Sequence, residues 1–164
     1  MRVPLRITEC TQRGQWQLLD RSPLPDRSVE QSKLTRACQV CLLGIAVQCL
    51  HFLEKYLAGF QRVYPPMLGL DPWSDPFFVS LNLPFIALLV LAAAGFLYQL
   101  RLAYFVVWFF AIAMFGNGVV YPVVSVMRGA YLPGTITAPI HLVVAIILIE
   151  ELLTLRRTKS PPPK

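Results

Sequence analysis

Two ionisable side chains, His51 and Glu54, lie three residues apart in an apolar stretch of the chain. In a helix this spacing places both side chains on one face. A carboxylate beside an imidazole raises the basicity of the ring and fixes its tautomer, which suits a general base. The same two residue types also bind divalent metals such as zinc or iron. The pair therefore predicts acid–base chemistry or a divalent metal site, and His51 and Glu54 are the candidate metal ligands.

Other apolar stretches carry polar residues as well. Side chains that form hydrogen bonds or carry charge are costly at bilayer depth, so they indicate either a functional site or hydrogen bonds between helices. At ~1.5 Å of rise per helical residue, all of them fall in the same half of a membrane as His51 and Glu54. The residues are Asn82, Asn117, Tyr121 and His141. We interpret Asn117 and Tyr121 as catalytic candidates beside His51 and Glu54, and Asn82 and His141 as ligand-binding candidates.

The composition places the elements that must position these residues in a membrane. Of the 164 residues, 55% are hydrophobic and 15% are charged, whereas an ordinary soluble domain is roughly 25% charged. Four apolar segments are long enough to cross a bilayer, at 37–60, 79–98, 103–121 and 135–155. We therefore predict an all-α fold, an integral membrane four-helix bundle.

The remaining segments are polar or rich in proline. Residues 1–36 are predicted to be a mostly disordered tail, with a short helix near Ser28–Leu34. Prolines predict loops at 64–78 and 122–134, because proline removes a backbone donor and breaks a regular helix. Residues 156–164 form a basic, proline-rich tail.

The distribution of charge predicts an orientation in the membrane. Twelve of the 15 Lys and Arg residues lie in residues 1–36, in 156–164 or at Arg101. The positive-inside rule then places both termini in the cytoplasm and the polar site in the non-cytoplasmic half of the bundle. Basic residues that flank membrane spans argue against nucleic-acid binding. Lys55 follows Glu54 directly, and we expect it to turn about 100° away and reach outward to the headgroups.

Two cysteines, Cys38 and Cys41, have the CxxC spacing of a redox pair or of half a zinc site. No second CxxC completes a zinc set, and cysteine in an apolar helix behaves as a small hydrophobic residue. We therefore interpret both as packing residues, with a redox pair as the alternative.

Three stretches together resemble the motifs of the HXXEE domain, a family of small multi-span bacterial membrane proteins. The stretches are His51-Phe-Leu-Glu54-Lys55, Asn117-Gly-Val-Val-Tyr121 and Tyr131-Leu-Pro133-Gly134-Thr-Ile-Thr137, against HxxEE, NxxxH and YxPGxxT. The last motif is matched at every position. The other two depart at their final residue, where Lys55 replaces a glutamate and Tyr121 replaces a histidine. The resemblance implies a bacterial cytoplasmic membrane protein, and it adds Tyr131 and Thr137 to the ligand-binding candidates.

Three functions fit this pattern. The first is an intramembrane protein that binds or acts on a lipid or another amphiphile, with His51 as base or ligand and Glu54 as its partner. The second is a structural or accessory membrane protein whose polar residues only hold the helices together. The third is a small transporter subunit, which four spans without inverted repeats would support only as a homo-oligomer.

Overall fold

Five helices make up the part of the chain that the computed structural model describes, residues 27–159. They are α1 (Arg27–Leu57), α2 (Phe60–Met67), α3 (Asp75–Leu97), α4 (Arg101–Arg128) and α5 (Ala138–Lys159). Four of them, all except the short α2, are long and apolar enough to cross a membrane. The all-α prediction and the number of candidate spans are confirmed.

The four long helices form a closed ring. In it, α1 packs against α3 and α5, and α4 packs against the same two helices, so α1 and α4 lie diagonally opposite. Successive helices are antiparallel, and the start of α1 therefore lies beside the end of α5. There Arg36 forms an ion pair of 2.7 Å with Glu151. We call this the terminal end of the bundle, and the other the distal end.

The interior of the ring is apolar for most of its length, and its outside is apolar as well. Buried side chains from all four long helices form one core, among them Leu89, Phe110, Met114 and Leu148. Cys38 and Cys41 are buried free thiols within this core, in keeping with their interpretation as packing residues. Many large hydrophobic side chains are exposed on the outer faces, which is the surface that lipid would cover.

Gly118 sets the distance between α4 and α5. A Cβ atom at this position would lie 2.7 Å from the Leu142 Cβ and 2.8 Å from its Cα. Only a residue without a side chain allows the two backbones to approach this closely, as is usual for helix contacts in membranes. The close contact brings the first turn of α5, and with it His141, against the distal half of α4.

The helices extend further than the sequence predicts. Helix α1 begins at Arg27 rather than at residue 37, so the predicted short helix is its first part. Helix α3 begins at Asp75, where Ser74 caps it by accepting from the Phe77 N–H. Helix α5 begins at Ala138 rather than 135 and continues to Lys159. Residues 1–26 and 160–164, which include most of the two predicted tails, lie outside the described residues.

Both predicted proline loops contain helix, which corrects the prediction. Helix α2 runs through Pro65 and Pro66. Proline at 65 cannot donate to the Gln61 carbonyl, and the N–H of Trp73 takes that place at 2.8 Å. Helix α4 likewise continues through Pro122 to Arg128 and ends where Gly129 adopts a left-handed φ of 60°. Proline is tolerated where another group satisfies the carbonyl that it leaves free.

Candidate functional site

The centre of the candidate site is the tight turn that leads into α5. Gly134 has a φ of +107°, a conformation that glycine adopts without steric cost. A Cβ atom here would also lie 2.8 Å from the Cε1 atom of His51 and 3.1 Å from the Tyr121 ring. Glycine is therefore required twice, for the backbone angle and for the close approach of helices α1 and α4 to the turn.

This turn presents its hydrogen-bond donors to the carboxylate of Glu54. Oxygen Oε1 accepts from the Tyr131 hydroxyl at 2.6 Å and from the N–H groups of Gly134 and Ile136, both at 3.0 Å. Oxygen Oε2 accepts from the N–H and the hydroxyl of Thr137, at 2.9 and 2.6 Å. Unpaired N–H groups at the start of a helix form a natural site for an anion. Glu54 fills that site from the neighbouring helix and thereby joins α1 to the start of α5.

Five donors saturate the Glu54 carboxylate. An ionised carboxylate offers about four lone-pair directions, so both oxygens of Glu54 are already occupied. It would have to give up hydrogen bonds to coordinate a metal or to take a proton. The arrangement makes Glu54 an anchor and a positioning group rather than a free ligand.

His51 is linked to Glu54 through Thr137, not directly. The Nδ1 atom of His51 lies 2.6 Å from the Thr137 hydroxyl oxygen. Since that hydroxyl gives its single proton to Glu54, it accepts from His51, and this bonding assigns the Nδ1–H tautomer. The Nε2 atom of His51 therefore carries a lone pair. It is buried and has no hydrogen-bond partner among the described residues.

The second histidine of the described chain, His141, lies against the first. The two imidazole centroids are 4.4 Å apart and their planes are inclined by 67°. The Nε2 atom of His141 lies 3.1 Å from the amide oxygen of Gln48, which accepts and so assigns the Nε2–H tautomer. The Nδ1 atom of His141 then carries a lone pair, as the Nε2 atom of His51 does. It is also buried and has no hydrogen-bond partner within residues 27–159. Both histidine side chains are completely buried.

Lys55 turns into the bundle, which corrects the prediction that it reaches outward. Its ammonium nitrogen lies 4.4 Å from the centroid of the Tyr121 ring and 4.8 Å from that of Phe60. A cation over two aromatic faces is stabilised by the ring quadrupoles. The Tyr121 ring also contacts His51 edge-on, at a centroid distance of 5.1 Å. Tyr121 is thus a wall of the site and a support for Lys55.

Two predicted site residues are not part of this cluster. The side chain of Asn82 donates to the Phe78 carbonyl of its own helix at 2.8 Å. Asn117 is partly buried, and none of the hydrogen bonds within the described cluster involves it. The cluster instead contains His51, Glu54, Tyr121, Tyr131, Thr137 and His141, at the distal end of the bundle.

Sequence reasoning missed Gln48 as a member of the site. Gln48 is buried and precedes His51 by three residues, the same spacing that singled out Glu54. The signal was therefore present in the helical periodicity. Its partner His141, 93 residues away, could be found only in three dimensions.

Tyr131 closes the site at its rim. Its side chain is half exposed, and its hydroxyl donates to Glu54. Burial, and next the hydrogen bond to the Glu54 carboxylate, raise the pKa of Tyr131 to about 12. Both effects favour the protonated phenol, because the phenolate would have to leave water and face a carboxylate.

The described residues contain no group of three or more His, Cys, Asp or Glu side chains that could hold a metal ion. Zinc sites use at least three protein ligands, and the two imidazoles supply two. Comparison of the chain with known protein families, with curated proteins and with solved structures returned no match.

Proposed function

We propose that the protein binds a lipid or another amphiphile inside the bacterial cytoplasmic membrane. The ligand would bind at two imidazole nitrogens that have no hydrogen bond, Nε2 of His51 and Nδ1 of His141. One observation carries the proposal: two adjacent, completely buried imidazoles each leave one nitrogen without a hydrogen bond. Leaving a buried acceptor unpaired costs about 1–3 kcal/mol. A ligand that donates a hydrogen bond to both nitrogens would recover that free energy.

The ligand class follows from the polarity of the two nitrogens. Both are acceptors, so the matching ligand offers two donor hydrogens, such as two neighbouring hydroxyls of a neutral amphiphile. The Lys55 ammonium lies over the Tyr121 ring that also contacts His51, and its positive charge disfavours a metal cation nearby. An uncharged hydroxyl avoids this repulsion.

The hydrogen-bonded row His51–Thr137–Glu54 would allow the site to take up a proton. If the bound donor transferred its proton to the Nε2 atom of His51, the resulting imidazolium would be stabilised by Glu54 through the Thr137 hydroxyl. The row therefore supports a base role for His51, with Glu54 and Thr137 as positioning residues. It also supports a relationship to the HXXEE domain, since the row joins residues of two of the matched motifs, His51 and Glu54 of the first and Thr137 of the last.

Substitutions that delete only the lone pairs test the proposal. In His51→Asn, the amide N–H can still donate to Thr137 while Nε2 is lost. In His141→Gln, the amide N–H can still donate to Gln48 while Nδ1 is lost. Each variant is purified in detergent, and native mass spectrometry measures co-purified lipid beside the thermal stability. We expect retained folding with at least tenfold less bound amphiphile, and Asn82→Ala serves as a polar control outside the cluster.

A second function, that of a structural or accessory membrane protein, is favoured by the five hydrogen bonds to Glu54. In that case the polar residues only fix the turn before α5. The parent protein would then carry no bound amphiphile, and both histidine variants would change stability alone. That outcome would replace the binding proposal with the structural one.

A further inference from the structure

A second candidate site lies at the terminal end of the bundle, far from the histidine pair. The structure has a pocket of about 360 Å³ between the start of α1, the turn from α3 to α4 and the end of α5. Ligand pockets in proteins start at about 300 Å³. Its wall includes the apolar side chains Leu34, Phe96, Leu100 and Leu155.

Charged side chains lie around this apolar wall. Arg101 and Arg156 line the pocket from α4 and α5, and Glu30 lines it from α1. Arg101 is exposed and forms no ion pair within the described residues. It also opens helix α4, where the positive end of the helix dipole adds to the attraction for an anion. Among the described residues that line the pocket, two carry a positive charge and one carries a negative charge.

The net charge of the terminal end of the bundle, compared with that of the distal end, also favours an anionic ligand. Among the described side chains, the terminal end carries Lys33, Arg36, Arg101, Arg156 and Arg157 against Glu30, Glu150 and Glu151. The distal end is balanced, with Lys55, Arg62 and Arg128 against Glu54, Asp71 and Asp75. Basic residues at one membrane surface attract the anionic lipids of that leaflet.

The wall beside Arg101 is held in a fixed shape. The rings of Phe96 and Tyr104 stack at 5.9 Å, and the Tyr104 hydroxyl donates to the Leu152 carbonyl at 3.4 Å. A Cβ atom on Gly95 would lie 3.0 Å from the Ala103 Cβ, so α3 and α4 meet closely at the turn. A preformed pocket binds more tightly because little has to be ordered on binding.

We propose that this pocket binds an anionic phospholipid, with its phosphate beside Arg101 and Arg156 and its first acyl segment along the apolar wall. The site is separate from the histidine pair, and either can fail without the other. The pairing of arginines with a mostly apolar wall matches a phosphate attached to a hydrocarbon chain. A free phosphate would leave the wall uncovered.

Native mass spectrometry of the full chain in detergent, titrated with phosphatidylglycerol or with phosphatidylcholine of the same acyl chains, tests this site. We expect stronger retention of phosphatidylglycerol. Arg101→Gln should weaken its binding about fivefold, the loss that corresponds to one basic residue at a membrane surface. Arg128→Gln removes the same charge from the other end of the same helix and should change nothing. Glu30→Gln should strengthen binding, because it removes the negative charge from the pocket.

Three results would overturn the proposal. Equal retention of the two lipids would show that the arginines do not select a charge. Equal losses in Arg101→Gln and Arg128→Gln would show attraction to the protein's overall charge instead of a site. Competition by soluble glycerol phosphate at the same concentration as the lipid would show that the apolar wall contributes nothing. Circular dichroism of each variant checks that the substitutions leave the helices intact.

Discussion

Thr137 contacts Glu54 through two of its own atoms, the backbone N–H at 2.9 Å and the hydroxyl at 2.6 Å, both to Oε2. The same hydroxyl accepts from His51. Thr137 therefore caps helix α5, where His141 N–H donates to its carbonyl, and it connects the anchor to the candidate base. The hydrogen bonds that hold the fold and those that orient His51 pass through one residue.

Replacing the anchor should destabilise the bundle. Glu54→Gln keeps the size of the side chain but turns one acceptor oxygen into an N–H₂ group that faces the donors of Thr137 or Gly134. We expect a loss of about 3 kcal/mol in the free energy of unfolding, since the lost bonds are made to a charged group. Unfolding in detergent followed by circular dichroism measures it. Glu150→Gln, at an exposed position of α5, should be nearly neutral, and equal losses in the two variants would contradict the anchor.

A side chain at Gly134 should disturb the site by contact as well as by backbone strain. Gly134→Ala places a methyl group 2.8 Å from the Cε1 atom of His51 and forces alanine to a φ of +107°. Gly69 has a φ of +73° but nothing within 4 Å of its Cβ position, so Gly69→Ala reports strain alone. We expect about 1 kcal/mol for Gly69→Ala and about 3 kcal/mol for Gly134→Ala. Equal thermal shifts would show that the contact with His51 is unimportant.

Four spans could be predicted from the sequence, and so could the end of the bundle that holds the polar cluster, because apolar length and the position of a residue within its span are local properties. Helix α1 was predicted too short, since charged residues such as Lys33 and Arg36 end an apolar segment without ending a helix. The helix through Pro65 could not be predicted, because the group that satisfies the freed carbonyl, the Trp73 N–H, comes from a later segment.

Within the site, spacing along α1 identified His51 and Glu54, but the roles of these residues depend on other helices. The donors to Glu54 come from residues about 80 positions away. The Asn82 amide donates its hydrogen bond to a carbonyl of its own helix, and its depth in the membrane could not reveal this partner. Lys55 was predicted to face outward because its position is turned away from Glu54, but its long side chain reaches back to the ring of Tyr121.

Replacing Lys55 with glutamate, the residue at the corresponding position of the HxxEE motif, should destabilise the protein. Lys55→Glu would place a carboxylate over the negative faces of Phe60 and Tyr121, next to Glu54. We expect a loss of at least about 2 kcal/mol relative to the parent. Lys55→Gln removes the charge without reversing it and should lose about 1 kcal/mol. Chemical unfolding of the three proteins orders them, and a stable Lys55→Glu variant would show that the site tolerates the glutamate of the motif as it stands.

Stability at alkaline pH should depend on Tyr131. Its pKa is raised from 10 to about 12 by burial and by the hydrogen bond to Glu54. The folded protein thus holds the phenolic proton more tightly than the unfolded chain. The stabilisation is complete below about pH 10 and is lost as the pH rises through about 12. Unfolding midpoints measured across this range should fall in the parent and fall less in Tyr131→Phe. Tyr98→Phe, at a position 79% exposed, should follow the parent; if Tyr131→Phe did so too, the phenol would not be coupled to folding.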